Sequence, residues 1–331
     1  MADGLAAPSS EAPAVEAVGI SKRFGALQAV EGIDLRLGRT GVCGLLGPNG
    51  AGKTTTIRMI AGVFPPDAGV LRVAGRDAQR ESAGVRAVVG YLPESAPLFP
   101  ELTPREYMRF RAGLAGIPRS RSAVEIESAL DRCDALRFAH RCCGTLSKGM
   151  QQRVGLAAAI LGDPRVVILD EPSVGLDPEQ TIAFRRLVRR LGEDRLVLFS
   201  SHLLAEVEAV CTELAVIASG RLLAHDPIGT FRARAAARRV VVESDQPLEG
   251  LADSSAVEGG CGSGVLEESR LTDGWWRSTH ECADPGVGAE RIGRIAREAG
   301  VVLRRLEPES PSLESVFVSL VGQAAGREGG R

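Results

Sequence analysis

No stretch of this 331-residue chain is apolar for long enough to span a membrane. Residues 1–14, dominated by Ala, Pro, Ser and Glu, have neither the basic start nor the apolar stretch of a secretory leader, and read as a disordered tail. There is no Cys-x-x-Cys pair to suggest a zinc ribbon. The seven cysteines, an odd number in a long chain, do not form a disulfide framework and read as reduced thiols of a cytosolic protein. The formal net charge is only -2, which leaves no electrostatic footprint for nucleic acid. A basic cluster, Arg185, Arg186, Arg189 and Arg190, reads as the solvated side of a helix that carries Phe184, Leu187 and Val188 on its other side. What remains is an ordinary soluble composition, 44% hydrophobic and 25% charged, enough for a sizeable core in one large domain or two.

The most informative stretch is Gly47-Pro48-Asn49-Gly50-Ala51-Gly52-Lys53-Thr54-Thr55. The apolar residues 42–46 before it suit a buried strand, and residues 55–61 after it place Ile57, Ile60 and Ala61 on one helical face. A glycine-rich turn between strand and helix is the context of a phosphate-binding loop. Its glycines let the backbone turn N–H groups toward an anion, and the helix start adds unpaired donors and a positive dipole end. Lys53 can reach the β- and γ-phosphates of a nucleotide, and the Thr54 hydroxyl can ligate Mg²⁺.

Before this loop, residues 15–24 and 33–37 read as strands, and residues 71–73 add a third; these are expected to be antiparallel. Phe24, just before Gly25, is placed to stack on adenine, although a lone aromatic residue is more often core. Residues 85–92 are expected to form a strand leading to Pro93-Glu94. From Thr103-Pro104-Arg105-Glu106 the pattern turns helical, with an N-cap, a proline at the first helical position and a glutamate at the third. Tyr107, Phe110 and Leu114 are expected on one face of that helix, and a second helix over residues 122–133. Residues 146–153 open a further helix with Ser147 and Gly149 at its start.

Residues 166–169, four apolar residues in a row, fit a central parallel strand that runs into Asp170-Glu171. Carboxylates at the C-terminal end of such a strand lie where α/β folds place ligands. Asp170 suits Mg²⁺ held through water, and Glu171 suits a general base for an attacking water. A turn follows at residues 175–178, with Asp177 before Pro178, then another apolar strand over residues 195–199 ending near His202, a candidate γ-phosphate sensor. Residues 214–224 read as a hairpin.

In this order the motifs resemble the ATP-binding-cassette (ABC) ATPase family over residues 15–230. The resemblance implies a P-loop α/β cassette with an antiparallel β subdomain and a helical insertion at about residues 95–160. It implies ATP and Mg²⁺ as ligands, with ATP sandwiched in a head-to-tail dimer. Ser147, Lys148, Gly149 and Met150 become the signature segment, with Ser147 and Gly149 facing the phosphate held by Lys53 of the opposite copy. Asp177 becomes the residue of the loop that spans the dimer, His202 the switch histidine, Phe24 the adenine platform, and Glu94 the Mg²⁺-linked position that is usually glutamine. The signature reads Leu-Ser-Lys-Gly-Met rather than Leu-Ser-Gly-Gly-Gln. That departure and Glu94 are similar to the exporter branch serving drug, antibiotic, polysaccharide or gliding-type systems.

Residues 231–322 read as a small α+β unit followed by a tail over residues 323–331. Strands are expected at residues 238–243, near Trp275-Trp276 and at residues 301–303, a loop over residues 249–264, and helices over residues 289–299 and after Ser310-Pro311. The unit is similar to the accessory domain of the same exporter branch. The function implied is a cytoplasmic ATPase subunit, peripheral on the inner face of the membrane through a separate permease, acting as a homodimer or a heterodimer. The alternative is a non-transport ABC ATPase acting on a macromolecular complex. A GTPase would need an Asn-Lys-x-Asp guanine-reading motif, which is missing, and a small-molecule kinase would not need the Ser147 helix. Retention of Lys53, Asp170, Glu171 and His202 argues against a decayed binding module.

Overall fold

The computed structural model describes residues 12–235, 239–248, 265–282, 284–308, 313–314, 317–318 and 320–322. The chain divides into two units, Met1–Ile228 with Leu320–Arg331, and Gly229–Ser319.

The first unit begins with β1 (Val15–Phe24) and β2 (Leu27–Leu37), an antiparallel pair. Ala14, expected in the tail, is instead buried and donates its N–H to the Leu37 carbonyl at 3.0 Å. β3 (Gly41–Leu46) then feeds the glycine-rich turn and α1 (Lys53–Ile60). β4 (Ala68–Val73) and the two-residue β5 (Arg76–Asp77) complete a sheet of order β2-β1-β4-β5. The strand expected over residues 85–92 is half helix: α2 (Ser82–Val88) precedes a short β6 (Val89–Leu92). A short run of valines fits either period, and packing decides; only Val85 of α2 is buried.

α3 (Pro104–Leu114) starts with the expected capping box: Thr103 N–H donates to Glu106 Oε2 at 2.8 Å, and Glu106 N–H to Thr103 Oγ1 at 3.4 Å. Its buried side is Pro104, Tyr107, Met108 and Ala112, whereas Phe110 is 46% and Leu114 70% exposed. Phe99 meets Tyr107 and Phe110 edge-on, at 6.1 and 5.5 Å, so these two rings do share a side of the helix, but only Tyr107 is core. α4 (Arg119–Arg132) begins three residues earlier than the spacing suggested, and α5 (Lys148–Ile160) is capped by Ser147.

β7 (Val166–Asp170), α6 (Pro178–Gly192), β8 (Leu196–Ser201), α7 (Leu204–Val210), β9 (Glu213–Ala218) and β10 (Arg221–Pro227) finish the unit. The β9–β10 hairpin turns through Ser219 and Gly220, both at positive φ (47° and 75°), as tight hairpins require. The second sheet has the order β10-β9-β3-β8-β7-β6, with β9, β3, β8, β7 and β6 parallel. Its central strands are apolar on both faces because both are covered. Ile168, Leu198 and Leu45 pack with α1 and the antiparallel sheet, whereas Val167, Leu169, Val197 and Phe199 pack with the helices α3 to α6. Each of these side chains contributes roughly 1.5–3 kcal/mol by leaving water. Two cores thus pack against the two faces of one sheet.

α8 (Ile228–Ala235) starts at the division between the units. In the second unit, β11 (Arg239–Ser244), β12 (Val265–Arg270), β13 (Trp276–Glu281) and β14 (Leu303–Pro308) form a sheet of order β12-β13-β11-β14 with α9 (Pro285–Glu298) against it. Asp284 caps α9 through Gly286 and Val287 N–H, so the helix starts four residues before residue 289. The expected loop over residues 249–264 and the start of the last expected helix lie outside the described residues; Leu313, Glu314, Phe317 and Val318 within that helix are helical.

Candidate functional site

The parallel register brings three strand ends to one edge. β3 pairs with β8 so that Leu46 sits beside Ser201, and β7 pairs with β8 so that Asp170 sits beside Ser200. The loop after β3, the acids after β7 and the histidine after β8 therefore converge by backbone pairing alone.

Residues 47–52 form the phosphate-loop turn. A Cβ on Gly47 would run into the carbonyl oxygen of Ile217, and Gly52 has φ +101° with a would-be Cβ 2.6 Å from the Ala29 carbonyl. Only glycine fits at either position. Lys53 is buried and donates from Nζ to the Gly47 carbonyl at 2.8 Å and the Pro48 carbonyl at 3.2 Å, so the loop folds around its own cation. Burial pulls the Lys53 ammonium below its ordinary value, opposed by the carboxylates of Glu171 and Asp170. Glu171 Oε1 lies 3.9 Å from Nζ. Thr54 and Thr55 are half-buried on the first turn of α1.

Asp170 is buried, and Ser200 Oγ donates to its Oδ1 at 2.7 Å. The same Ser200 oxygen accepts the Glu171 N–H at 2.9 Å. Glu171 has φ +48°, a conformation uncommon outside glycine. The hydroxyl of Ser200 thus holds one acid directly and the next through its backbone. His202 Nδ1–H donates to Glu171 Oε2 at 2.8 Å. Tyr91 OH donates to Asp170 Oδ2 at 3.4 Å, and burial, then the Asp170 charge, push the Tyr91 phenol upward. Lys53, Asp170, Glu171 and His202 form one connected group, as their order in sequence suggested. Ser200 and Tyr91 were not anticipated. Their signal is the register of β8 and β6 against β7, which no local pattern displays.

Among the described residues, the other expected side chains have partners outside this group. Ser147 caps α5 by accepting the Met150 N–H at 3.4 Å, and Gly149 lies directly under the side chain of Gln180. Lys148 approaches Gly175, and Asp177 caps α6 by accepting the Gln180 N–H at 2.8 Å. The signature segment and the Asp177 turn therefore face each other. No hydrogen bond or ion pair joins either to residues 47–55 among the described residues. Glu94 is exposed, and its backbone carbonyl accepts Gln152 Nε2–H at 2.9 Å. Its carboxylate makes no hydrogen bond to Thr54 or Asp170. Phe24 stands half-exposed at the end of β1, edge-on to Phe64 with ring centroids 5.6 Å apart, leaving ring surface open to a flat ligand. No described helix is long and apolar enough to cross a membrane.

Comparison with known proteins agrees with this geometry. The family profile of the ABC transporters matches residues 30–174, and a profile described as an AAA domain, putative AbiEii toxin, Type IV TA system, matches residues 141–208. The chain is 30% identical to the ABC transporter ATP-binding protein YhaQ of Bacillus subtilis, over 92% of this chain and 97% of YhaQ. It is 31% identical to the daunorubicin resistance ATP-binding protein DrrA3 of Streptomyces coeruleorubidus, over 93% of this chain and 96% of that one. Among solved structures, an ATP-binding subunit of an ABC transporter superposes with a TM-score of 0.60 at 28% identity, over 66% of this chain and 92% of the other. With the phosphate loop, the paired acids and the strand-end histidine gathered on one edge of the sheet, the chain belongs to the ATP-binding proteins of ABC transporters and is an ATPase of that family.

Proposed function

We propose that this protein is the ATPase subunit of an ABC exporter, working as a head-to-tail dimer beneath a separate membrane permease. The observation that carries the proposal is the split of the site. The hydrolytic group around Lys53 and Glu171 is assembled, whereas Ser147 and Gly149 are held against the Asp177 turn instead. A second copy supplies the missing serine-led helix start, which adds N–H donors to the bound phosphate.

In this reading Phe24 stacks on adenine, residues 47–55 cradle the phosphates, and Lys53 turns from its loop carbonyls to the β- and γ-phosphates. Glu171, anchored at its backbone, orients the attacking water and accepts its proton. His202, bonded to the same carboxylate, senses the γ-phosphate. Thr54 and Asp170 fit Mg²⁺, because Asp170 is a buried carboxylate already pinned at one oxygen; Glu94 is the third candidate ligand. Bound there, Mg²⁺ supplies neutralising charge to the phosphates.

The permease assignment is supported by an exposed apolar patch close behind Glu94. Phe99 and Phe110 meet edge-on at 5.5 Å, both with exposed rings, and Leu114 continues the patch. Such a patch on a soluble surface suits a partner, here a cytoplasmic segment of the permease. Drug export is favoured over import by the likeness to DrrA3. The protein then sits on the cytoplasmic face of the membrane.

The test is Glu171→Gln with saturating ATP. Hydrolysis is expected to fall by at least about 10²-fold, while sedimentation shows an ATP-dependent dimer. A variant that stays monomeric with ATP bound, alone and with its permease in detergent, would refute the sandwich.

A further inference from the structure

Away from the nucleotide site, three strands of the central sheet bring together a thiol, a carboxylate and an imidazole. Cys43 on β3 pairs in register with Glu213 on β9, and His225 on β10 pairs with Ala215, two residues along from Glu213. Alternation along the strands therefore points all three side chains to one face. Their ligand atoms Sγ, a carboxylate oxygen and a ring nitrogen all lie within 4.8 Å of one another. His225 Nε2 is 3.1 Å from Glu213 Oε2. We propose that Cys43, Glu213 and His225 form a binding site for a divalent transition metal of borderline softness, with Zn²⁺ as the type and a fourth position open to water.

The donor set selects the ion. Thiolate and imidazole suit Zn²⁺ and its neighbours and disfavour Mg²⁺, which demands oxygen ligands. Metal bonds of 2.0–2.3 Å put two ligands of one tetrahedron roughly 3.3–3.8 Å apart, so no pair of the three atoms need shift by more than about an ångström. Cys43 is fully buried, and its sulfur contacts the carbonyl of the adjacent Gly44 at 3.9 Å and the backbone of Ala215. Glu213 and His225 are about one-fifth exposed, at 23% and 21%, which provides an entry path. Burial, then the Glu213 charge, push the Cys43 thiol upward, so metal loading releases its proton. Cys211 is no ligand: its sulfur lies 3.0 Å from where a Gly44 Cβ would be, on the opposite face of the sheet. A Cys-x-x-Cys search misses such a site because its ligands come from three strands.

The location gives the site a consequence. Gly47 follows Cys43 by four residues, and the Ile217 carbonyl against which Gly47 packs follows Glu213 by four. A metal here ties together the strands that form the floor of the phosphate loop.

The experiment uses the full chain, freed of metal with a chelator and kept without nucleotide or Mg²⁺. Titration with Co²⁺ is expected to give one equivalent bound with a thiolate-to-cobalt charge-transfer band, displaced by Zn²⁺ but not by Mg²⁺. Cys43→Ser should lose the band, Cys211→Ser should keep it, and His225→Ala should weaken binding by at least about tenfold, by analogy with losses at metal sites. A wild-type chain without the band overturns the site, as does a band that survives Cys43→Ser. Should Cys43→Ser fail to fold, unchanged cobalt affinity in both His225→Ala and Glu213→Gln overturns it equally.

Discussion

Ser200→Ala removes one oxygen that serves two acids. Ser200 is fully buried, donates to Asp170 Oδ1 at 2.7 Å and accepts the Glu171 N–H at 2.9 Å. Losing a bond to a charged group costs about 1.5–3 kcal/mol, and a buried N–H left without a partner about 1–3 kcal/mol. A water entering the vacated space would recover part of this, so a net loss of about 3 kcal/mol is expected. For a unit of this size that lowers the melting temperature by roughly 6–12 °C. The functional loss is separate. With its N–H released, Glu171 no longer has a reason to keep φ +48°, and its carboxylate drifts from the His202 bond. Displacement by about an ångström costs on the order of 10²-fold in rate. Because the phosphate loop is untouched, kcat should fall while KM for ATP stays within about twofold. Thermal melting and steady-state ATPase assays on the same preparation read both effects. A variant that melts within about 2 °C of the parent and keeps its kcat would show that Ser200 positions neither acid.

Lys53→Ala should abolish hydrolysis and weaken ATP binding by at least about tenfold, or about 1.4 kcal/mol, since it removes the cation and leaves the Gly47 and Pro48 carbonyls without their donor; equilibrium nucleotide binding measures this, and unchanged affinity would contradict the assigned role. In the second unit, His280 is buried with Nε2 against Ser278 Oγ at 2.9 Å, and burial depresses it below its ordinary value of 6.5. The unfolded chain then takes up a proton near 6.5 that the folded unit resists, so this unit loses stability as pH falls from 6.5 through the folded value. Both tryptophans of the chain, Trp275 and Trp276, lie in that unit, so tryptophan fluorescence during urea unfolding follows it selectively. The acid-side loss should flatten in His280→Gln, and an unchanged pH profile in that variant would remove His280 as its cause.

Much of this molecule was legible in the sequence for physical reasons that differ by element. The span of β1, the capping box at Thr103 and the Ser219-Gly220 hairpin follow from local rules of period, hydrogen bonding and φ. The phosphate loop was legible because only glycine fits beside Ile217 and Ala29. The strand expected over residues 85–92 was misread in its first half because a run of valines suits either period until its neighbours are known. The exposure of Phe110 and Leu114 was not legible, because helical spacing shows that residues share a face, not whether that face is inward. Ser200, Tyr91 and the Cys43 cluster escaped entirely. Each depends on which strand lies beside which, and parallel register is set by the whole sheet rather than by any segment of it.

The two halves of the proposed ATP site are finished to different degrees in the single chain, and that difference bears on how closure could drive transport. The hydrolytic half is tied by bonds of 2.7–2.9 Å from Ser200 and His202, on the edge of a sheet packed between two cores. Apart from Lys53, which exchanges its loop carbonyls for the phosphates, it arrives organised when ATP binds. On the signature side, the Ser147 hydroxyl caps its helix through a bond of 3.4 Å, near the limit of a useful one. Releasing that hydroxyl to a phosphate costs little. Gly149, in contrast, is covered by Gln180 from the helix that Asp177 caps, so phosphate reaches it only if the Gln180 side chain moves. In the proposed dimer, the γ-phosphate gains its contacts with Ser147 and Gly149 only in the closed pair. A ligand shifts a conformational balance only by its differential affinity for the two states, and here that difference resides in the signature half. Shrinking Gln180 to alanine should therefore favour the closed dimer at lower ATP concentration while leaving nucleotide affinity of the isolated subunit unchanged, measurable by sedimentation across an ATP series in the Glu171→Gln background. Equal dimerisation with and without Gln180 would mean that its cover over Gly149 is no barrier to closure.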